Sequence, residues 1–105
     1  MSWLILVLAG IAEVTWAVAL KYADGFHQLI PSIITVVGYI ASLLLLSKAL
    51  ENLPLGTAYA VWTGIGMVGT TVLGLLLFKE TLSMLQVIFL LMIVVGIVGL
   101  KLAAN

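Results

Sequence analysis

The chain has 105 residues, of which 65% are hydrophobic and 8% charged, and its formal net charge is zero. With a mean hydropathy of +1.38, this composition excludes a soluble domain and indicates a membrane protein. The chain has no cysteine and one histidine, so we expect no disulfide, metal site or cofactor. With four lysines, no arginine and no basic surface, we also predict no nucleic-acid partner.

Four apolar segments follow one another along the chain, each long enough to cross the bilayer core as a helix. They cover residues 2–20, 29–47, 55–78 and 82–100 and are joined by short polar connections. Backbone polar groups in lipid must be hydrogen-bonded within their own segment, which favours helices. We therefore predict an all-α membrane protein in which residues 1–105 form a single domain of four transmembrane helices.

The first segment has an alternative interpretation as a cleaved signal peptide. Residues 17–19 read "AVA", which resembles a small-residue cleavage site. No lysine or arginine precedes the apolar run, however, and Glu13 interrupts it. We interpret the segment as a membrane span.

The lysines give no preference for either orientation in the membrane. With four spans, Lys21 and Lys79 lie on one side, and Lys48 and Lys101 on the other, whereas an excess of positive residues normally marks the cytoplasmic side. Chains inserted in both orientations can then pair about an axis in the membrane plane, which would bring two copies of Glu13 to one cavity. The alternative is a single orientation set by a weaker feature, such as the uncharged N-terminal tail.

Among the Lys, Asp, Glu and His residues, only Glu13 lies well inside a predicted span, because the others fall at span ends or in connections. An ionised carboxylate in mid-membrane is strongly unfavourable unless it is partnered or reaches water. Glu13 is therefore the candidate functional site. The alternative is a protonated Glu13 that only donates a hydrogen bond between helices.

Polar and aromatic residues at helical spacing accompany Glu13. They are Gly10, Glu13 and Trp16 or Ala17 on the first span, Thr35, Tyr39 and Ser42 on the second, and Tyr59, Trp62, Thr63 and Gly66 on the third. These stripes could converge on one cavity, or they could serve ordinary hydrogen bonding and aromatic packing between helices. Trp16 is the strongest candidate after Glu13, because its indole N–H can donate to a carboxylate and its ring can line a cation site.

Glycines suggest two further features. Gly64 and Gly66 in "GIG" could bend the third helix, although membrane helices also tolerate glycine without bending. From residue 87 to residue 100 the fourth span is apolar apart from Gly96 and Gly99. Small residues of this kind predict close helix packing, in this case between the subunits of a dimer.

Several motifs together resemble the small multidrug resistance family over essentially the whole chain. They are "AEV" around Glu13, "KYADGF", "PSIITVVGYIAS" and above all "LPLGTAYAVWTGIG" at residues 53–66. The resemblance implies an antiparallel, dual-topology homodimer in the bacterial inner membrane that exchanges protons for cations, with Glu13 as the shared proton and substrate site. The residues that match the family's surroundings of this site are Trp16, Ser42, Tyr59 and Trp62.

Within the family, Trp16 together with Gly10 and Lys21 resembles the guanidinium exporter subtype, whereas multidrug members typically carry a small residue in place of Trp16. The resemblance implies proton-coupled antiport of guanidinium, and of small substituted guanidines, by alternating access. Tyr39 departs from this pattern, because it resembles the multidrug branch and implies broader cation tolerance. The alternative function is therefore a quaternary-ammonium or multidrug exporter of the same family.

The chemistry of the cations separates these two alternatives. Guanidinium is planar and can donate two parallel hydrogen bonds to one carboxylate, whereas a quaternary ammonium has no N–H and depends on aromatic faces. A passive channel, a structural subunit and a pair with a close paralogue also remain open. An enzyme is not expected, because the spans carry no nucleophile with a base, no metal cluster and no phosphate-binding loop.

Overall fold

The computed structural model describes residues 1–104, which form four helices and no strand. Helix α1 spans Ser2–Tyr22, α2 spans Leu29–Ala49, α3 spans Leu55–Leu77 and α4 spans Met84–Ala104. All four helices are long and apolar enough to cross a membrane. The prediction of an all-α protein with four transmembrane helices is confirmed.

Helix α4 begins at Met84 rather than at residue 82, and a capping interaction accounts for the difference. The backbone N–H of Ser83 donates to Oε1 of Gln86 at 2.8 Å, and the backbone N–H of Gln86 donates to Oγ of Ser83 at 3.2 Å. This reciprocal pair satisfies backbone donors that the first turn of a helix leaves free. The sequence "SMLQ" therefore sets the start of the helix.

Helix α1 lies at the centre of the subunit. It packs against both α2 and α3. Helix α4 packs mainly against α3 and also reaches α1, where Nζ of Lys101 lies 5.6 Å from the ring centroid of Trp3. The arrangement is flat, with principal extents of 44 × 35 × 17 Å. A flat layer leaves much apolar surface for lipid or for a second subunit.

Glycines allow neighbouring helices to approach closely, because a Cβ atom at these positions would collide with the facing helix. A Cβ on Gly10 would lie 2.6 Å from Cγ2 of Ile65, and one on Gly38 would lie 2.9 Å from Cβ of Trp16. A Cβ on Gly64 would lie 2.5 Å from Cδ1 of Ile97. These contacts fix α1 against α3, α2 against α1, and α4 against α3.

The other predicted roles of glycine concern a bend and a dimer. Helix α3 runs as one helix through Gly64 and Gly66, and a bend there stays a prediction. A Cβ on Gly96 or Gly99 would meet nothing within 4 Å in the subunit. These two positions are therefore free for a partner, and their packing in a dimer also stays a prediction.

The main cluster of buried apolar residues lies in one half of the subunit. It consists of Leu6, Ala9, Leu46, Ala49, Ala58, Val61 and Trp62. These residues come from the first half of α1, the second half of α2 and the first half of α3. Glu13, near the midpoint of α1, consequently lies at the inner end of this core.

Candidate functional site

Glu13 is half-buried, and its carboxylate packs against Gly66 of α3. A Cβ on Gly66 would overlap Oε1 of Glu13 and would lie 3.0 Å from Cγ of the same side chain. No residue larger than glycine fits here unless the carboxylate moves. Gly66 therefore determines where the Glu13 carboxylate lies.

Two buried polar side-chain atoms on α1 have no hydrogen-bond partner among residues 1–104. They are Oε1 of Glu13 and Nε1 of Trp16, both buried. An unsatisfied buried polar group is unfavourable by about 1–3 kcal/mol, and native structures contain few of them. One atom is an acceptor and the other a donor, so together they offer complementary hydrogen-bonding capacity to a ligand, to a proton or to each other.

Trp16 lies in the contact between α1 and α2. Its ring meets the ring of Tyr39 edge-on, with centroids 5.3 Å apart and an angle of 85° between the planes. This is a favourable arrangement for two aromatic rings. Gly38 makes it possible, since a side chain there would press on Cβ of Trp16.

A buried hydrogen-bonded chain links all three central helices. Nε1 of Trp62 donates to Oγ of Ser42 at 2.8 Å, and Oγ of Ser42 donates to the carbonyl of Ala9 at 2.8 Å. Ser42 is fully buried and Trp62 is 7% exposed. Because Ala9 lies one helical turn before Glu13, this chain closes the protein on the core side of the carboxylate.

We expect Ser42→Ala to destabilise the protein by about 1–3 kcal/mol, because the indole N–H of Trp62 would then be buried without an acceptor. Unfolding of the purified protein in mixed detergent micelles would measure this change. Ser47→Ala is the matched control, since Ser47 is exposed on the same helix. Equal stability of the Ser42 and Ser47 variants would contradict the assignment.

The remaining predicted residues lie at the edge of this arrangement. Tyr59 is exposed and packs on Trp62, with ring centroids 5.5 Å apart. Oγ1 of Thr63 donates to the carbonyl of Tyr59 at 2.9 Å, and Oγ1 of Thr35 donates to that of Pro31 at 2.8 Å. The two threonines thus bond their own helices, and a role for Thr63 in lining the site stays a prediction.

A cavity of about 590 Å³ lies on the other side of Glu13, between α1, α3 and the segment that leads into α4. Its lining begins at Ala17 and Thr70, one helical turn beyond Glu13 and Gly66. It ends at the membrane face that carries the first and third connections. The buried cluster therefore lies on one side of Glu13. On the other side, a cavity begins one helical turn away, at Ala17 and Thr70, and extends toward the membrane face.

Two charged residues at the mouth of this cavity could not be recognised as a pair from the sequence. Nζ of Lys21 and Oε2 of Glu80 form an ion pair at 2.8 Å. These residues are 59 positions apart, so no local pattern connects them. The available signal was coarse: both residues lie at span ends on the same side of the membrane.

Within residues 1–104, no group of three His, Asp or Glu side chains is placed to hold a metal ion. The candidate site instead contains one carboxylate, that of Glu13 near the midpoint of α1, with Trp16 about one helical turn further along the same helix. Intramembrane carboxylates of this kind mark proton and substrate sites in transport proteins. The fold defines a multi-pass membrane protein, and Glu13 is its candidate ion- or solute-binding residue.

The chain belongs to the small multidrug resistance protein family, whose sequence profile matches residues 1–93. It is 56% identical over 104 residues to a protein of Yersinia pseudotuberculosis that is named a guanidinium exporter. Proteins with the same name from Salmonella typhimurium and Escherichia coli K12 are 54% and 53% identical over 105 residues. The matches cover 99% or 100% of this chain and 100% of each relative. With its four spans, the chain is a multi-pass protein of the bacterial inner membrane.

Proposed function

We propose that this protein exports guanidinium in exchange for protons. Two copies of the chain pair in antiparallel orientation and share one cavity, in which protons and guanidinium compete for the two Glu13 carboxylates. The proposal rests on the position of Glu13, which has a closed core on one side and a cavity on the other. The relatives named guanidinium exporters support the choice of substrate.

One-sided closure of the subunit supports alternating access. In one chain, the cavity extends from one helical turn beyond Glu13 toward the face with the first and third connections, and the Ser42–Trp62 chain closes the opposite side. A second copy in the inverted orientation would offer the opposite openings. When the two subunits exchange conformations, the site would face each side of the membrane in turn.

Competition between proton and cation follows from the chemistry of a buried carboxylate. A bare negative charge is strongly unfavourable in a low-dielectric environment, so the occluded state requires either protons or a bound cation. Guanidinium can donate two parallel hydrogen bonds to a carboxylate, and the free N–H of Trp16 can hold that carboxylate in position. Because the occluded state needs one ligand or the other, the proton flux and the guanidinium flux are coupled. The proposed protein is thus a transporter and not an enzyme.

Proton movement in liposomes that contain only this protein tests the proposal. A guanidinium gradient should drive proton movement in the opposite direction, and a tetraalkylammonium gradient of the same size should drive little or none. Protein-free liposomes provide the control for leakage. Absence of guanidinium-driven proton movement would overturn the proposal, and strong movement with both cations would shift the assignment to a multidrug exporter.

Tyr39 is the reason for including a bulky cation in this experiment. Its ring is 46% exposed and contacts Trp16, so an aromatic surface lies beside the site that a larger organic cation could use. Glu13→Gln should remove coupled transport of either cation, since both would require the same carboxylate.

A further inference from the structure

The cavity that begins one helical turn beyond Glu13 ends at an ion pair between Lys21 and Glu80. Among the residues that line it in the described part of the chain, only Lys21 and Glu80 carry a charge. Their side chains are 54% and 50% exposed, so they reach the water at the membrane face. Nζ of Lys21 also lies 4.4 Å from the ring centroid of Phe78, which attracts a cation to its face.

The backbone around Glu80 is shaped to place its carboxylate there. Helix α3 ends in a turn in which Lys79 adopts a φ of 55°, a left-handed conformation that is rare for residues other than glycine. The N–H groups of Phe78 and Glu80 both donate to the carbonyl of Gly74, at 3.1 and 3.2 Å. A Cβ on Gly74 would overlap Oε1 of Glu80, so the missing side chain of Gly74 makes room for the carboxylate.

An unpaired ammonium at this place would oppose the proposed substrate. Guanidinium is always protonated, and a cation that approaches Glu13 through the cavity passes the end of α1. Two unit charges 4 Å apart in water repel by about 1 kcal/mol, which corresponds to a factor of about five in occupancy. Paired with Glu80, the Lys21 ammonium presents almost no net charge to the cavity.

We infer that Glu80 is a positioning residue that holds the Lys21 ammonium on the wall of the cavity, so that a cation can reach Glu13 without meeting an unpaired positive charge. The inference rests on the proposed function and gives the third connection a role in the approach of the substrate. The Lys21–Glu80 pair thus governs the approach of the substrate, whereas Glu13 binds it.

The first test is Glu80→Gln, measured by the initial rate of guanidinium-driven proton movement in liposomes. We expect the apparent KM for guanidinium to rise about fivefold at roughly 0.01 M ionic strength, where the Debye length is about 30 Å. At about 0.15 M, where it is about 8 Å, the increase should become smaller. The maximal rate should stay close to that of the wild type, because Glu13 is untouched.

Two further variants separate this charge effect from a loss of structure. Removal of both charges in K21M/E80Q should bring KM back to within about twofold of the wild type, since no ammonium is left to repel the cation. Gly74→Ala keeps both charges but displaces the carboxylate, and it should raise KM in the same direction as Glu80→Gln. If the pair had a purely structural role, the KM of K21M/E80Q would be as high as that of Glu80→Gln.

The chain contains a matched control in Lys48 and Glu51, which form an exposed pair at 3.4 Å away from the cavity. Glu51→Gln should leave KM unchanged at both ionic strengths. An unaltered KM in Glu80→Gln, or a double variant without recovery, would overturn the inference. Guanidinium-driven proton movement by the wild type tests the proposed function. The KM of Glu80→Gln relative to that of the wild type tests the role of Glu80, so each proposal can be refuted without the other.

Discussion

Glu13→Gln is expected to reduce guanidinium-driven proton movement to the level of protein-free liposomes. Glutamine has the same size and fits the same space against Gly66, so the fold should be retained. It carries no titratable proton and cannot form an ion pair with a cation. Coupled exchange would therefore lose both of its competing ligands at once. Proton and guanidinium fluxes, measured in parallel in the same liposomes, would show this result.

Glu51→Gln is the control for Glu13→Gln, because it removes an exposed carboxylate beyond the end of α2. This variant should exchange guanidinium for protons at the wild-type rate. If Glu13→Gln retained coupled exchange, Glu13 could not be the shared site. If it retained guanidinium flux without proton movement, Glu13 would carry the proton but would not be required for guanidinium, and the shared site would be wrong.

The membrane spans were predictable because hydropathy and length dominate the behaviour of a chain in lipid. The ends of the spans were less predictable, because capping interactions determine where a helix begins. The hydrogen bonds between Ser83 and Gln86 place the start of α4 at Met84. The importance of Glu13 also followed from the sequence, since a carboxylate in a span stands out energetically. The residues that Glu13 contacts could not be predicted from the sequence.

The contacts of the site depend on how neighbouring helices are rotated and shifted against each other, and spacing along one helix does not specify this. Ser42 and Trp62 were each placed on a polar stripe, but their hydrogen bond and the link to Ala9 required the packed structure. Thr35 and Thr63 stood on the same stripes and bond their own helices instead.

The ion pair at the cavity mouth shows a second limit of sequence reasoning. Lys21 and Glu80 meet only because α1 and α3 end on the same side and because Lys79 turns the chain back toward Gly74. Neither the turn nor the partner can be deduced from residue types alone. The proposed dimer is harder still to predict from the sequence, because it depends on how two subunits pack through surfaces that are exposed in a single subunit.

Gly66→Ala is expected to lower the rate of guanidinium–proton exchange by tenfold or more. The added methyl group would overlap Oε1 of Glu13, so the carboxylate must leave its place between α1 and α3. Displacement of an essential group by about 1 Å can reduce a rate on the order of 100-fold. The measurement is the initial rate of guanidinium-driven proton movement, at saturating and at low guanidinium.

Two glycines on the same helix distinguish loss of the carboxylate position from general effects of alanine. Gly69→Ala also produces a collision, but with Cγ2 of Val14, an apolar group that takes no part in binding. Gly56→Ala produces none, since its Cβ would meet nothing within 4 Å. We expect Gly56→Ala to match the wild type and Gly69→Ala to lose stability more than exchange rate. If Gly66→Ala and Gly69→Ala lowered the rate equally, α3 packing rather than the position of Glu13 would limit exchange.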